Sequence, residues 1–274
     1  MDPLILTQLI ETALLEDMPM GDITSNALFK DETTTARLIA KEKGVLSGIK
    51  VAEKTFSLVD SDTRFFPNCR DGDHVEKGTV IATVSGKTRS ILMAERVALN
   101  FLQRMSGIAT LTKAFVSQTA GTKARILDTR KTTPGMRALE KQAVLDGGGT
   151  NHRMSLSDMV MIKDNHIQAA GSIVRAVEII REKYQTNYQI EVEVENIFEF
   201  EEAMTTDCDI IMLDNMTLSD MAECVRRNAG KKLLEASGNM TLDRIHDVAK
   251  TGVDLISVGQ LTHSVKSLDI SLKF

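Results

Sequence analysis

Residues 209–239 read DIIMLDNMTLSDMAECVRRNAGKKLLEASGN. The segment opens on a short apolar run, DIIML, of strand length. LSDMAECVRRNA then carries apolar residues at helical spacing, and KLLEA returns to the strand pattern. Strand, helix and strand in succession make a βαβ unit, whose strands lie parallel. The same pattern extends in both directions. ARILD (124–128), MVMIK (159–163) and QIEVEV (189–194) precede it, DLISVG (254–259) follows it, and SIVRAVEIIREKYQ (172–185) is another intervening helix. Six such units in about 140 residues predict a parallel α/β sheet. Right-handed crossovers allow a barrel or a doubly wound sheet. No G-x-G-x-x-G follows ARILD, which disfavours a dinucleotide-binding sheet. Six units are also too few for a closed eight-stranded barrel. The expectation is an open, incomplete α/β barrel.

Upstream of residue 124 the pattern differs. DPLILTQLIETALLEDM (2–18) predicts a helix with Asp2 as N-cap and Pro3 in its first turn. Residues 35–90 are strand-rich, and DGDHVEKGTVIATVSG (71–86) reads as a hairpin with glycine turns. ILMAERVALNFLQRMSGIATLTKAF (91–115) predicts one long helix, able to bridge two domains. SLDISLKF (267–274) alternates apolar and polar residues, like a strand returning to the first domain. Residues 1–110, completed by 265–274, are thus expected to form an N-terminal domain, and 111–264 the barrel.

The 274 residues carry 33 Lys plus Arg against 38 Asp plus Glu, for a net charge of −5. A general nucleic-acid or anionic-membrane binder needs a basic footprint, so any anion site here must be local. Cys69, Cys208 and Cys224 are few, odd in number and without a C-x-x-C, as expected of reduced thiols in a cytoplasmic protein. The first basic residue is Lys30, which argues against a signal or transit peptide, and no apolar run approaches a membrane span.

Active sites of βα barrels sit at the carboxyl ends of the strands. In chain order those ends deliver Thr129, Arg130 and Lys131; Lys163; Glu193; Asp214; Ser237, Gly238 and Asn239; and Gly259. Between 128 and 166 stand six Lys or Arg and two His. Arg137 and Lys141, inside a predicted helix, are expected on a solvated face. Arg130, Lys131, His152, Arg153 and Lys163 lie instead beside glycine-rich or strand-end backbone, where a ligand can approach. Arginine grips carboxylates and phosphates with two parallel hydrogen bonds, and lysine acts as a point charge. Several together suit a ligand with several negative groups.

The acids are carried by IEVEVE. It sets Glu191, Glu193 and Glu195 on one face and Ile190, Val192 and Val194 on the other. An edge strand with a wet face would explain this alternation. The other reading puts Glu193 in the barrel mouth with Asp214, where two carboxylates would hold ribose hydroxyls or the hydration shell of Mg²⁺. EASGN and SVGQLTHS are short loops near predicted helices, where backbone N–H groups bind phosphate.

ERVALNFLQRMSGIAT, DTRKTTPGMR, GGGTNHRMSLSDMVMIKDNH, IEVEVE, IMLDN, EASGN and GVDLISVGQLTHS together resemble the quinolinate phosphoribosyltransferase family of NAD synthesis. The likeness runs in order from GDITS near the start to LTHS near the end, with Asn239 standing where many relatives carry a second glycine. It implies an N-terminal α/β sandwich, a C-terminal open α/β barrel, and a homodimer in which Arg96 of one subunit reaches the site of the other. It implies that Arg130, His152, Arg153 and Lys163 surround quinolinate. Lys131, Glu193 and Asp214 would surround phosphoribosyl pyrophosphate and carry catalysis. Ser237, Gly238, Asn239 and Gly259 would form phosphate loops. Mg²⁺ is the implied cofactor, with Glu193 and Asp214 as its acids through water. Three alternatives stand beside this one: a barrel lyase forming a Schiff base at Lys163, a phosphoribosyltransferase for another pyridine or base, and a silent phosphate or nucleotide sensor.

Overall fold

The computed structural model describes residues 2–274. The chain divides into two compact units: Met1–Lys113 with Thr133–Gly148 and Ser264–Phe274, and Ala114–Thr132 with Gly149–His263. The helix of 137–146, which the sequence reading assigned to the barrel, therefore groups with the first unit.

The chain begins with α1 (Pro3–Asp17). The Asp2 carboxylate accepts the Leu4 N–H at 2.8 Å, satisfying one of the unpaired donors of the first turn. Next come α2 (Ile23–Leu28), β1 (Thr33–Ala40), β2 (Gly44–Val45), α3 (Ile49–Val59), β3 (Arg64–Pro67), β4 (His74–Val75), β5 (Val80–Lys87) and α4 (Thr88–Ser117). After β6 (Arg125–Leu127) and α5 (Arg137–Asp146) the parallel units follow: β7 (Val160–Ile162), α6 (Asp164–Ala170), α7 (Ile173–Tyr184), β8 (Ile190–Val194), α8 (Ile197–Met204), β9 (Ile210–Asp214), α9 (Leu218–Asn228), β10 (Leu233–Ser237), α10 (Ile245–Lys250), β11 (Leu255–Ser257) and α11 (Gln260–His263). The chain closes with β12 (Ile270–Lys273).

In the first unit β12, β1, β5 and β3 form an antiparallel sheet in that order. Ala36, Leu38 and Ala40 of β1 alternate with more exposed neighbours and are fully buried. They share one core with Ile49, Ala52 and Phe56 of α3 and with Ile91, Ala94, Ala98 and Leu102 of α4. Helices on a sheet's apolar face make the α/β sandwich. The strand expected in 267–274 is β12, paired to β1 with Arg37 opposite Lys273. Gly107 of α4 admits the segment before β12, since a Cβ there would collide with the Lys266 carbonyl.

Two expectations fail in this unit. The 71–86 hairpin does not form: β4 pairs with β2, while β5 pairs with β1 and β3. The Gly72 N–H donates to Leu46 O and the Leu46 N–H to Asp73 O, so residues 44–46 have taken the edge that a hairpin would use. Lys141 is not on a solvated face; it and Glu140 are fully buried. Glu140 accepts from the Arg104 guanidinium at 2.8 Å and from the Thr133 N–H at 3.1 Å, which ties α5 to α4 and to the loop before it.

The second unit contains a six-stranded sheet in the order β6–β11–β10–β9–β8–β7, parallel throughout. β6 and β7 occupy opposite edges and are not paired, so the barrel is open there. β8 lies between β7 and β9, which overturns the wet-edge explanation of IEVEVE. Ile190, Val192 and Val194 are buried on one side of it, and on the other Glu191 is as buried as they are.

Candidate active site

The carboxyl ends of the parallel strands surround a cleft of about 790 Å³. The fully buried Asp128, next after β6, accepts the His152 backbone N–H at 2.9 Å and so fixes His152–Arg153 beside the first strand end. The Thr129 hydroxyl accepts the Lys131 N–H at 3.0 Å, and the Thr262 hydroxyl donates to the Lys131 carbonyl at 2.7 Å. Gly259 leaves room for the Lys131 side chain: a Cβ there would lie 3.2 Å from Lys131 Cδ and 3.1 Å from His263 Nε2.

Arg130, Lys131, Arg153 and Lys163 bring four cations to this cleft. Arg153 is held by the Met159 carbonyl at 3.0 Å, and burial together with the neighbouring charge of Arg130 pulls its pKa down. A cation held under repulsion from another favours an anionic ligand between them. Two acids face the same space. Glu193 forms an ion pair with Lys163, and Asp214 accepts from the Asn215 amide at 2.8 Å. Thr129, His152, Ser237, Gly238, Asn239 and Gly259 complete the sequence-derived set around the cleft. Arg96 is not among its lining residues; it is exposed on α4, in the first unit.

The loop after β10 was expected to present a helix start, but α10 begins only at Ile245. Residues 238–240 instead form a loop whose carbonyls are engaged by side chains. Arg244 donates to Gly238 O at 3.2 Å and Asn239 O at 3.5 Å, and Gln260 donates to Met240 O at 2.9 Å. With its acceptors occupied, the loop is suited to offer N–H groups to an anion. Asn239 has φ 48°, a left-handed conformation that asparagine tolerates better than most residues.

The floor was missed on sequence. Glu191 and Glu235 are fully buried, and none of their four carboxylate oxygens has a well-aligned hydrogen bond. His152 Nε2 lies 3.1 Å from Glu191 and 3.6 Å from Glu235. His152 Nδ1 accepts the Arg153 N–H at 2.7 Å, which places the ring proton on Nε2, facing the acids. That arrangement suits a cluster holding protons rather than a metal ion, which would need the Nε2 lone pair. Burial first, then the charge of Glu191, pushes Glu235 up to about 8. Burial raises Glu191 to about 7. The alternation of IEVEVE could have flagged Glu191, because a face that puts Glu193 in the mouth puts Glu191 beneath it. Nothing in EASGN distinguishes Glu235 from a solvated acid.

The raised values fix the sign of a pH effect. Both acids hold protons more tightly folded than unfolded, where their ordinary value is 4.5. Their contribution to stability is complete below about pH 4.5 and is lost as pH rises through about 7 and 8. Glu235→Gln, which has no proton to lose, should flatten the decline of the unfolding midpoint between about pH 5 and 8 by several degrees, an order of magnitude set by the size of such shifts. Parallel melting curves for wild type and variant across that range would rule the paired-proton floor out.

Comparison with known proteins fits this geometry. Residues 22–106 match the family model "Quinolinate phosphoribosyl transferase, N-terminal domain", and residues 108–273 match its C-terminal counterpart. The chain is 46% identical over 284 residues to quinolinate phosphoribosyltransferase [decarboxylating] 1b of Nicotiana tabacum, covering 96% of this chain and 81% of that protein. It is 43% identical over 272 residues to the probable nicotinate-nucleotide pyrophosphorylase [carboxylating] of Bacillus subtilis strain 168, covering 99% and 94%. The crystal structure of NadC from Streptococcus pyogenes superposes with a TM-score of 0.97 at 42% identity, over 100% of this chain and 97% of that one. A nicotinate-nucleotide pyrophosphorylase from Pyrococcus furiosus, at 15% identity and a TM-score of 0.76, shares the fold over 99% of this chain and 76% of its own. With both domain models matched along nearly the whole chain, the protein belongs to the quinolinate phosphoribosyltransferase family.

Proposed function

We infer that this chain transfers the phosphoribosyl group of phosphoribosyl pyrophosphate to the nitrogen of quinolinate with loss of one carboxylate, giving nicotinate mononucleotide, pyrophosphate and carbon dioxide. The observation that carries the reading is the convergence of four cations and two strand-end acids on one cleft. Quinolinate is a pyridine dicarboxylate, and the second substrate carries a phosphate and a pyrophosphate. Arg130, Arg153 and Lys163 hold the ring's carboxylates; His152 braces the Arg153 backbone from the floor. Met161 and Met212, which also line the cleft, offer polarizable apolar surface to the ring. Lys131 and the 237–240 loop hold phosphate, with Gly259 giving Lys131 its room. Glu193 and Asp214 stabilise the positive charge that develops on the ribose as pyrophosphate leaves. Once alkylated, the positive ring nitrogen stabilises the electron pair that departing carbon dioxide leaves on the adjacent ring carbon, and that carbon then takes a proton from water to give the product. Positioning and electrostatics suffice, with no covalent nucleophile.

Glu193 and Asp214 are hard oxygen donors on the adjacent strands β8 and β9, and both face the cleft, which suits a Mg²⁺ ion held through its waters beside substrate phosphates. When bound, Mg²⁺ would neutralise charge on the pyrophosphate leaving group. A lyase using Lys163 is disfavoured by its ion pair with Glu193, since a neutral amine would give that pair up. Arg96, exposed and outside the cleft lining, serves a second copy of the chain in a homodimer. This work belongs in the cytoplasm, which suits three unbridged cysteines, and no helix among the described residues is long and apolar enough to cross a membrane.

The test is direct. Purified protein given quinolinate, phosphoribosyl pyrophosphate and Mg²⁺ should yield nicotinate mononucleotide and carbon dioxide. A chain that binds both compounds without turnover would be the sensor instead. Nicotinate should be a poorer substrate by about 100-fold or more in kcat/KM, because the missing carboxylate takes away one of the anionic groups that the cleft's cations hold. Comparable kcat/KM for the two acids would refute the dicarboxylate assignment.

A further inference from the structure

Asn215 follows the last residue of β9 and has no part in the roles described so far. Its backbone is left-handed, with φ 53°. Its N–H donates to Ser237 O at 3.0 Å, the point at which the loop after β10 departs. Its side-chain NH₂ donates to Asp214 Oδ2 at 2.8 Å, and its side-chain oxygen accepts from the Asn239 amide at 3.2 Å. The direction of the chain is fixed at one end, because a carboxylate can only accept. Turning the Asn215 amide over would set oxygen against oxygen at Asp214. Gly238, at φ 89°, lies so close that a Cβ would overlap the Asn215 side-chain oxygen. On the outer side Arg244 joins the same pieces, donating to Gly238 O and, at 3.1 Å, to Met216 O.

We propose that Asn215 is a positioning residue that couples the strand-end acid Asp214 to the phosphate loop of residues 237–240. By occupying Asp214 Oδ2 it leaves the other carboxylate oxygen for the ribose. By holding Asn239 it keeps the loop at a fixed distance from that acid. Ribose and 5-phosphate belong to one molecule, so the two contacts must keep a constant spacing, and Asn215 sets it. This rests on the phosphoribosyl pyrophosphate reading of the cleft.

Three variants test it. Asn215→Gly retains the left-handed backbone and removes the amide. Asn215→Asp retains backbone tolerance and shape but sets a like charge against Asp214. Asn239→Gly cuts the loop end alone. Asn215→Gly should raise KM for phosphoribosyl pyrophosphate about tenfold or more and lower kcat, because it loses a charge-assisted hydrogen bond and the loop contact together. Asn215→Asp should be more impaired than Asn215→Gly, and Asn239→Gly should raise that KM with a smaller loss of kcat than Asn215→Gly. Calorimetric affinity for quinolinate and the thermal midpoint should stay near wild type in all three, which a merely structural role would not allow. Wild-type constants in Asn215→Gly, or Asn215→Asp equal to wild type, overturn the proposal while wild-type turnover keeps the activity standing. An equal loss of quinolinate affinity and stability in Asn215→Gly overturns it too. Absence of product with the wild-type protein would remove both the activity and the role built on it.

Discussion

Glu193→Gln should lower turnover about 100-fold or more, roughly 3 kcal/mol of transition-state stabilisation, while quinolinate still binds. The substitution keeps size and hydrogen-bonding capacity and removes only the charge. Glu193 stands on an interior strand with its carboxylate in the cleft, so a surface role is no longer open to it. Its ion pair with Lys163 makes the experiment sharper. If the acid served only to hold that lysine, the amide would free the ammonium for quinolinate and turnover would stay near wild type. If it stabilises the ribose cation, turnover falls and quinolinate affinity holds or rises. Asp214→Asn should behave alike, since the Asn215 amide can still donate to the remaining oxygen. Steady-state turnover beside calorimetric quinolinate affinity separates the outcomes. A collapse of quinolinate affinity with sugar-phosphate binding intact would reassign both acids to the pyridine.

Arg96→Ala and Lys131→Ala should each be nearly inactive alone and recover activity when mixed. Lys131 lines the cleft, and Arg96 is exposed on α4 without lining it. If Arg96 completes the site of a second copy, a hybrid dimer contains one doubly altered site and one intact site. Random reassociation of equal amounts makes half the dimers hybrid, so about a quarter of wild-type activity should return. The measurement is turnover after dissociation and reassociation, with hybrids verified by differently tagged chains. Silence in verified hybrids would refute shared sites.

The sequence made the parallel unit legible because its strands are short apolar runs bounded by turn residues and separated by helical periodicity. DIIML and KLLEA match β9 and β10 to within a residue at each end. The first unit was harder to read. Its β4 is two residues long and finds its partner in β2, a choice made by backbone hydrogen bonds that leave no side-chain pattern. Twelve of the thirteen candidate site residues line one cleft because strand ends in a barrel converge, a rule of topology that needs no contact map. Glu191, Glu235 and Asn215 escaped assignment for a different reason. Their roles depend on what lies across a strand or a loop: a second buried acid for the first two, a glycine with no Cβ for the third. Lys141 shows the same limit from the other side, since charge in a helix predicts exposure until Glu140 and its partners pull that face inward.

The pairing of Arg37 with Lys273 has a temporal meaning. On a ribosome β1 emerges well over two hundred residues before β12, the strand that covers one of its edges. The parallel sheet waits as well, because β6 is held by β11 rather than by any strand near it in the chain. Until β12 and β11 have been made, β1 and β6 each keep an unpaired edge. Such edges are where nascent chains aggregate, and pairings across long stretches of chain form slowly. The architecture that gathers the cleft from six strand ends thus closes its sheets through strands far apart in the chain, the kind of pairing that forms slowly.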